Sequence, residues 1–129
     1  MGKYLDIQNN VIKKYGIHIE TNSTCYTRTH AHVKERKVCK WKQTNSMAST
    51  FTLLREVGHI ETTKSKMLRC ESEFYATVWA IERCKEYGLE IPSNIIKRYQ
   101  DYINREHDMG VRRGGNLPRL DTLQLRAYL

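Results

Sequence analysis

The chain reads as an α+β domain, a small antiparallel sheet packed by three main helices. Three observations predict it. Phe74, Val78, Trp79, Ile81 and Cys84 make a broad apolar stripe at helical spacing, and Ile95, Ile96, Tyr99, Tyr102 and Ile103 make another. Ile17-His18-Ile19-Glu20 alternates, and the stretch from Thr24 to Lys42 is rich in Thr, Val and Tyr, as strands are. At 129 residues the chain can bury one real core and has no room for a second.

Taken in order, Tyr4, Leu5, Val11, Ile12 and Tyr15 fall at helical spacings, with Gly16 suited to stop the helix. Ile17 to Glu20 is a short strand closed by Thr21-Asn22-Ser23. Thr24 to Lys42 is one bent strand or a hairpin turning near Lys34–Lys37. Thr44-Asn45-Ser46 is a loop, after which Ser49 or Thr50 caps the helix carrying Arg55 to Ile60. A polar connection at Glu61–Lys66 leads to a second strong helix from about Leu68 to Tyr87, with Gly88 at its C′ position. Pro92-Ser93-Asn94 restarts the chain into a third amphipathic helix ending near His107. The folded domain is expected to span 1–108. Residues 109–129, which open Met-Gly-Val-Arg-Arg-Gly-Gly-Asn-Leu-Pro-Arg, read as a basic C-terminal tail with little reason to fold alone, although Leu120, Leu123, Leu125 and Tyr128 could dock its end. There are no internal repeats.

Lys and Arg number 22 against 14 Asp and Glu, a net charge of +8. Such a balance predicts attraction to nucleic acid, a nucleoprotein or an acidic protein face. The N-terminal Met-Gly-Lys-Tyr-Leu-Asp has no apolar run of the kind a signal peptide needs, and no segment approaches the roughly 20 apolar residues of a membrane span. Cys25, Cys39, Cys70 and Cys84 are scattered without a C-x-x-C pair. The expectation is therefore a cytoplasmic protein whose cysteines are thiols or metal ligands instead of disulfides.

The richest stretch is Leu53-Leu54-Arg55-Glu56-Val57-Gly58-His59-Ile60. An H-E-x-x-H helix sets two histidines one turn apart on one face to hold Zn²⁺, with the Glu as general base. Here Glu56 and His59 stand in that frame, but Arg55 replaces the first histidine, and a guanidinium has no lone pair for a metal. Glu56 alone cannot restore hydrolysis, because the metal must lower the pKa of the water and hold it. Cys25, His30, His32 and Cys39 could form a separate site, yet their spacing matches no standard zinc module. Small buried thiols and polar strand histidines account for them as well.

Farther on comes Glu71-Ser72-Glu73-Phe74-Tyr75-Ala76-Thr77-Val78-Trp79-Ala80. With these two motifs in order, the chain from about Ile17 to Pro92 resembles the ImmA/IrrE metallopeptidases of phages and mobile elements. That family has a strand pair, then H-E-[LI]-G-H, then E-x-x-A-N-x-F-A on a second helix. The resemblance implies a reduced zincin-like fold and makes Glu73 the third zinc ligand. Thr77 then replaces Asn, and Trp79 replaces Phe. Three readings follow. The metal is gone and Arg55 pairs with Glu73; or zinc is held structurally by His59, Glu73 and a recruited ligand such as Cys70, His30 or His32; or a peptidase works with an altered ligand set. On the second reading His59, Glu73 and Cys70 are the metal residues, and on the third Glu56 is catalytic.

If Thr29 to Lys42 is extended, His30, His32, Lys34, Arg36, Lys40 and Lys42 share one face, because alternate residues do. His32, Lys34, Arg36, Lys40 and Lys42, with Arg112 and Arg113, form the candidate partner-binding set, able to meet phosphates without reading sequence; a solvated, aggregation-blocking edge strand explains the strip equally. Aromatic interleaving is poor, which disfavours a base-stacking single-strand binder. Small basic proteins with degenerate domains of this kind resemble phage products, and in size and charge they are similar to anti-CRISPR proteins that block a type II RNA-guided nuclease. What the resemblance implies is a non-catalytic, zinc-binding inhibitor of a host-defence protein or ribonucleoprotein. The alternatives are an active metallopeptidase and a basic nucleic-acid-binding accessory protein.

Overall fold

A computed structural model describes residues 2–21, 29–64 and 67–112, with the backbone alone at Cys70, His107 and 110–112. The chain runs α1 (Lys3–Tyr15), β1 (His18–Glu20), β2 (His30–His32), β3 (Lys37–Cys39), α2 (Met47–Thr62), α3 (Arg69–Glu86) and α4 (Ser93–Arg112). The α+β class is as expected, but the sheet is mixed. Strand order is β1-β3-β2, with Ile19 opposite Val38 in a parallel pair and Ala31 opposite Val38 in an antiparallel one. The hairpin turns at 33–36, where Arg36 takes a left-handed φ of 50° and its N–H reaches the Val33 carbonyl at 3.2 Å.

Helix ends follow local chemistry. Gly16 and Gly88 both adopt positive φ just past α1 and α3, the conformation a glycine reaches without Cβ penalty. Ser46, not Ser49 or Thr50, caps α2: its Oγ accepts from the Ser49 N–H at 3.1 Å. The Ser49 hydroxyl instead donates to the Lys42 carbonyl at 2.8 Å, and Thr50 Oγ1 donates back to the Ser46 carbonyl. The helix thereby begins three to four residues earlier than the sequence suggests. Likewise α4 continues to Arg112, past the expected helix end near His107. Residues 113–129, with Arg113, lie outside the described residues.

α2 is the central element. Phe51, Leu53, Leu54, Val57 and Ile60 are buried among Val11 of α1, Val38 of β3, Phe74, Ile81 and Cys84 of α3, and Ile96 and Ile103 of α4. Polar ties fix α1 against the loop before α2: Gln8 Nε2 donates to the Thr44 carbonyl and to Thr50 Oγ1, both at 2.9 Å. The Trp41 indole N–H donates to the Ser49 carbonyl at 2.9 Å, satisfying the polar edge of a buried ring.

α2 and α3 touch at backbone distance. A Cβ built on Gly58 would lie 2.6 Å from the Ala76 carbonyl oxygen, so only glycine fits the crossing. This contact brings Arg55 and His59, one turn apart on α2, opposite Thr77, Glu73 and Ser72 on α3.

Candidate functional site

Arg55 is buried, 8 % exposed, although it carries a permanent charge. Such a group needs a counter-charge and hydrogen bonds, and it has both. Nη2 pairs with Glu73 Oε2. Nε donates to Thr77 Oγ1 at 3.1 Å, and that hydroxyl donates in turn to the Glu73 carbonyl at 2.8 Å. The guanidinium carbon lies 4.0 Å over the Tyr99 ring and 6.0 Å from that of Tyr102, both on α4. A buried cation over an aromatic face adds about 2 kcal/mol of attraction. The Arg55–Glu73 contact, one of the three alternatives the sequence left open, is thus present.

His59 completes the cluster. Its Nε2 lies 3.3 Å from the same Glu73 Oε2, and its Nδ1 lies 3.0 Å from Ser72 Oγ, which also meets Thr63 Oγ1 at 3.1 Å. Burial works to raise the Glu73 pKa, but His59, Arg55 and Arg69 together outweigh it and hold the carboxyl below its usual range. Glu56, one residue along α2, goes the other way: burial raises it, against the pull of His59 and Arg55.

These groups line a cavity of about 810 Å³. α2 supplies Thr52, Arg55, Glu56 and His59; α3 supplies Arg69, Ser72 and Glu73; α4 supplies Arg98, Tyr99 and Tyr102; β2 and its turn close the far side with His30 and Val33. Burial first, then His32 and His59, hold the His30 pKa below that of a free imidazole.

The residues that a zinc ion would use are engaged with one another. Glu73 Oε2 faces both Arg55 Nη2 and His59 Nε2, and a guanidinium on that oxygen supplies charge but no lone pair. The arrangement at Oε2 is that of an ion pair. The Cys70 side chain lies outside the described residues. Among those residues no group of three or more His, Cys, Asp or Glu converges on one point.

Of the remaining candidates, His30 lines the same cavity as His59 and Glu73. His30 and His32 stack edge to face on β2 with ring centres 4.8 Å apart. Cys39 is buried with its Sγ 3.7 Å from Glu20 Oε2, and Cys25 falls outside the described residues. The expected continuous basic face from His30 to Lys42 does not form, because Arg36 and Lys40 both break the strand period with positive φ. Arg36 turns inward, donating to the Tyr15 carbonyl from Nε at 3.2 Å and Nη2 at 2.7 Å while pairing with Glu61. Lys34 and Lys42 stay exposed, and Lys37 pairs with Glu20 at 2.7 Å. The Arg112 side chain is not among those described. Sequence reasoning missed Arg69, Arg98, Tyr99 and Tyr102 as site residues. Their signal was present: tyrosines inside an otherwise aliphatic stripe mark a face that meets something polar.

No family model, no curated protein and no solved structure matches this chain. No helix among the described residues is long and apolar enough to cross a membrane.

Proposed function

We propose that this chain is a non-catalytic binding protein whose cleft is a peptidase-like frame with an ion pair standing in for the metal. The observation that carries the reading is Arg55, seated on Glu73 and Thr77 and covered by Tyr99. Hydrolysis through a frame of this type needs a Lewis acid to acidify and hold water. A guanidinium does neither, and Glu56 beside it has a base's position without an activated water.

The net charge of +8 supports a partner with an acidic face, and a host-defence ribonucleoprotein of the type II CRISPR class is the candidate we carry forward. The test has two arms. Elemental analysis after dialysis should find zinc far below one per chain in the wild type. Arg55→His, which rebuilds H-E-x-x-H, should take up close to one zinc per chain. Stoichiometric zinc in the wild type would overturn the ion-pair reading and restore the structural-metal or peptidase alternative. In the second arm, a stoichiometric amount of protein should stop target cleavage by a type II nuclease without degrading protein or RNA. Undiminished cleavage at tenfold excess, across nucleases from several hosts, would retire that partner class.

A further inference from the structure

The charges lining the cleft do not cancel evenly. Arg55 and Glu73 neutralise each other at the floor, and Glu56 lies beside them. At the mouth stand two arginines from different helices. Arg69 of α3 has a side chain 65 % exposed, with Nη2 donating to Tyr102 Oη at 3.3 Å and Nε 3.6 Å from Glu106. Arg98 of α4 is exposed and lines the same cavity. Two guanidinium groups, one of them shared with Glu106, therefore stand at the rim, above a floor of carboxylates and of the hydroxyls of Thr52, Thr63 and Ser72.

We infer that this cleft binds an acidic peptide segment, with a carboxylate of the ligand clamped between Arg69 and Arg98. The inference rests on the binding-protein reading above and specifies its ligand. A guanidinium matches a carboxylate through two parallel N–H bonds, and two of them on facing helices define a clamp. The floor suits a peptide, whose backbone amides donate to carboxylates and hydroxyls and whose carbonyls accept from hydroxyls. A nucleic acid fits less well. The Tyr99 face on which a base would stack is already covered by Arg55 at 4.0 Å. A volume of about 810 Å³ lies within the range of ordinary ligand clefts, roughly 300–1,000 Å³.

The experiment is fluorescence anisotropy with labelled hexaglutamate, hexalysine and single-stranded DNA on the intact protein, followed by mass spectrometry of the recovered peptide. Hexaglutamate should bind, and hexalysine should not. Arg98→Glu and Arg69→Ala should each weaken hexaglutamate at least tenfold, whereas Lys34→Ala and Lys42→Ala should change it less than twofold. Both rim arginines are exposed, so circular dichroism and thermal melting should show the variants folded. If either fails to fold, Arg98→Lys replaces it, and loss of affinity with retained charge would still identify the two-pronged contact. Equal binding by the rim variants and the wild type would overturn the inference, as would DNA binding that is tighter and lost with the same substitutions. Peptide recovered cleaved would refute the non-catalytic reading while leaving the carboxylate clamp standing. No hexaglutamate binding, with zinc absent and peptide intact, would remove the clamp and leave the non-catalytic reading in place.

Discussion

Separating Arg55 from Glu73 is the most searching perturbation, and its size follows from their burial. The two side chains are 10 % and 13 % exposed, so each depends on the other for its charge. Breaking a buried pair by removing one partner costs about 3–5 kcal/mol, whereas replacing both with apolar groups of similar volume is often neutral. In Glu73→Gln, Arg55 keeps its bond to Thr77 and its place over Tyr99, which puts the cost near the lower end, about 3 kcal/mol. In Arg55→Met, Glu73 keeps His59 at 3.3 Å, and the cost should again be about 3 kcal/mol. The double variant should cost no more than either single one, a coupling of about 3 kcal/mol against the sum. Urea midpoints at constant m-value measure all four corners of the cycle. Singles that add to within about 0.5 kcal/mol, or that each cost under about 1 kcal/mol, would refute the claim that this pair holds the site together.

Other outcomes follow from neighbouring groups. Because the folded Glu73 carboxyl is held low, its contribution to stability should be complete above the ordinary carboxylate range and disappear as pH falls through the lowered value; Glu73→Gln should lack that acid limb in a pH series of melting temperatures. Glu56 has the opposite sign. Its raised folded pKa gives stability that is full below the ordinary range and lost as pH rises, so Glu56→Gln should raise the melting temperature at pH 7–8 and lose that advantage near pH 4. Gly58→Ala forces a methyl against the Ala76 carbonyl; overpacking of about 1–3 kcal/mol opposes a helix-propensity gain of about 1, and thermal melting should show net destabilisation. Excess chelator should leave the wild-type melting temperature unchanged and lower that of zinc-loaded Arg55→His.

Much of the helical frame was legible because period and punctuation agreed. The stripe from Phe74 to Cys84 closes at Gly88, and Pro92 opens the stripe from Ile95 to Ile103. The Arg55–Glu73 pairing was legible as one of three alternatives, since complementary groups lay on two helices at motif spacing. What the sequence hid was tertiary. Tyr99 and Tyr102 look like core until α4 is laid across α2 and Arg55 covers a ring. The parallel pairing of β1 with β3 joins strands that lie on either side of β2 in the sequence, which a local pattern does not encode. The basic strip failed because period-2 reasoning assumes extended backbone, and Arg36 and Lys40 are left-handed. Of the several hydroxyls between Thr44 and Thr50, composition alone cannot say that Ser46 is the cap and Ser49 a bond to Lys42.

The meeting of Gly58 with Ala76 has a consequence for what this scaffold could become. Side-chain pairs set the chemistry of the cleft, but the gap between its walls is gauged by main chain against main chain. Groups can therefore be exchanged at Arg55, His59, Glu73 and Thr77 while the spacing between the helices stays the same, as a jig keeps its opening whatever tool is clamped in it. A cation, a metal or a neutral hydrogen-bonded pair would each be presented at the same separation. Changing the separation itself would take a bulkier residue at 58 or 76, and that would disturb the whole helix pair at once.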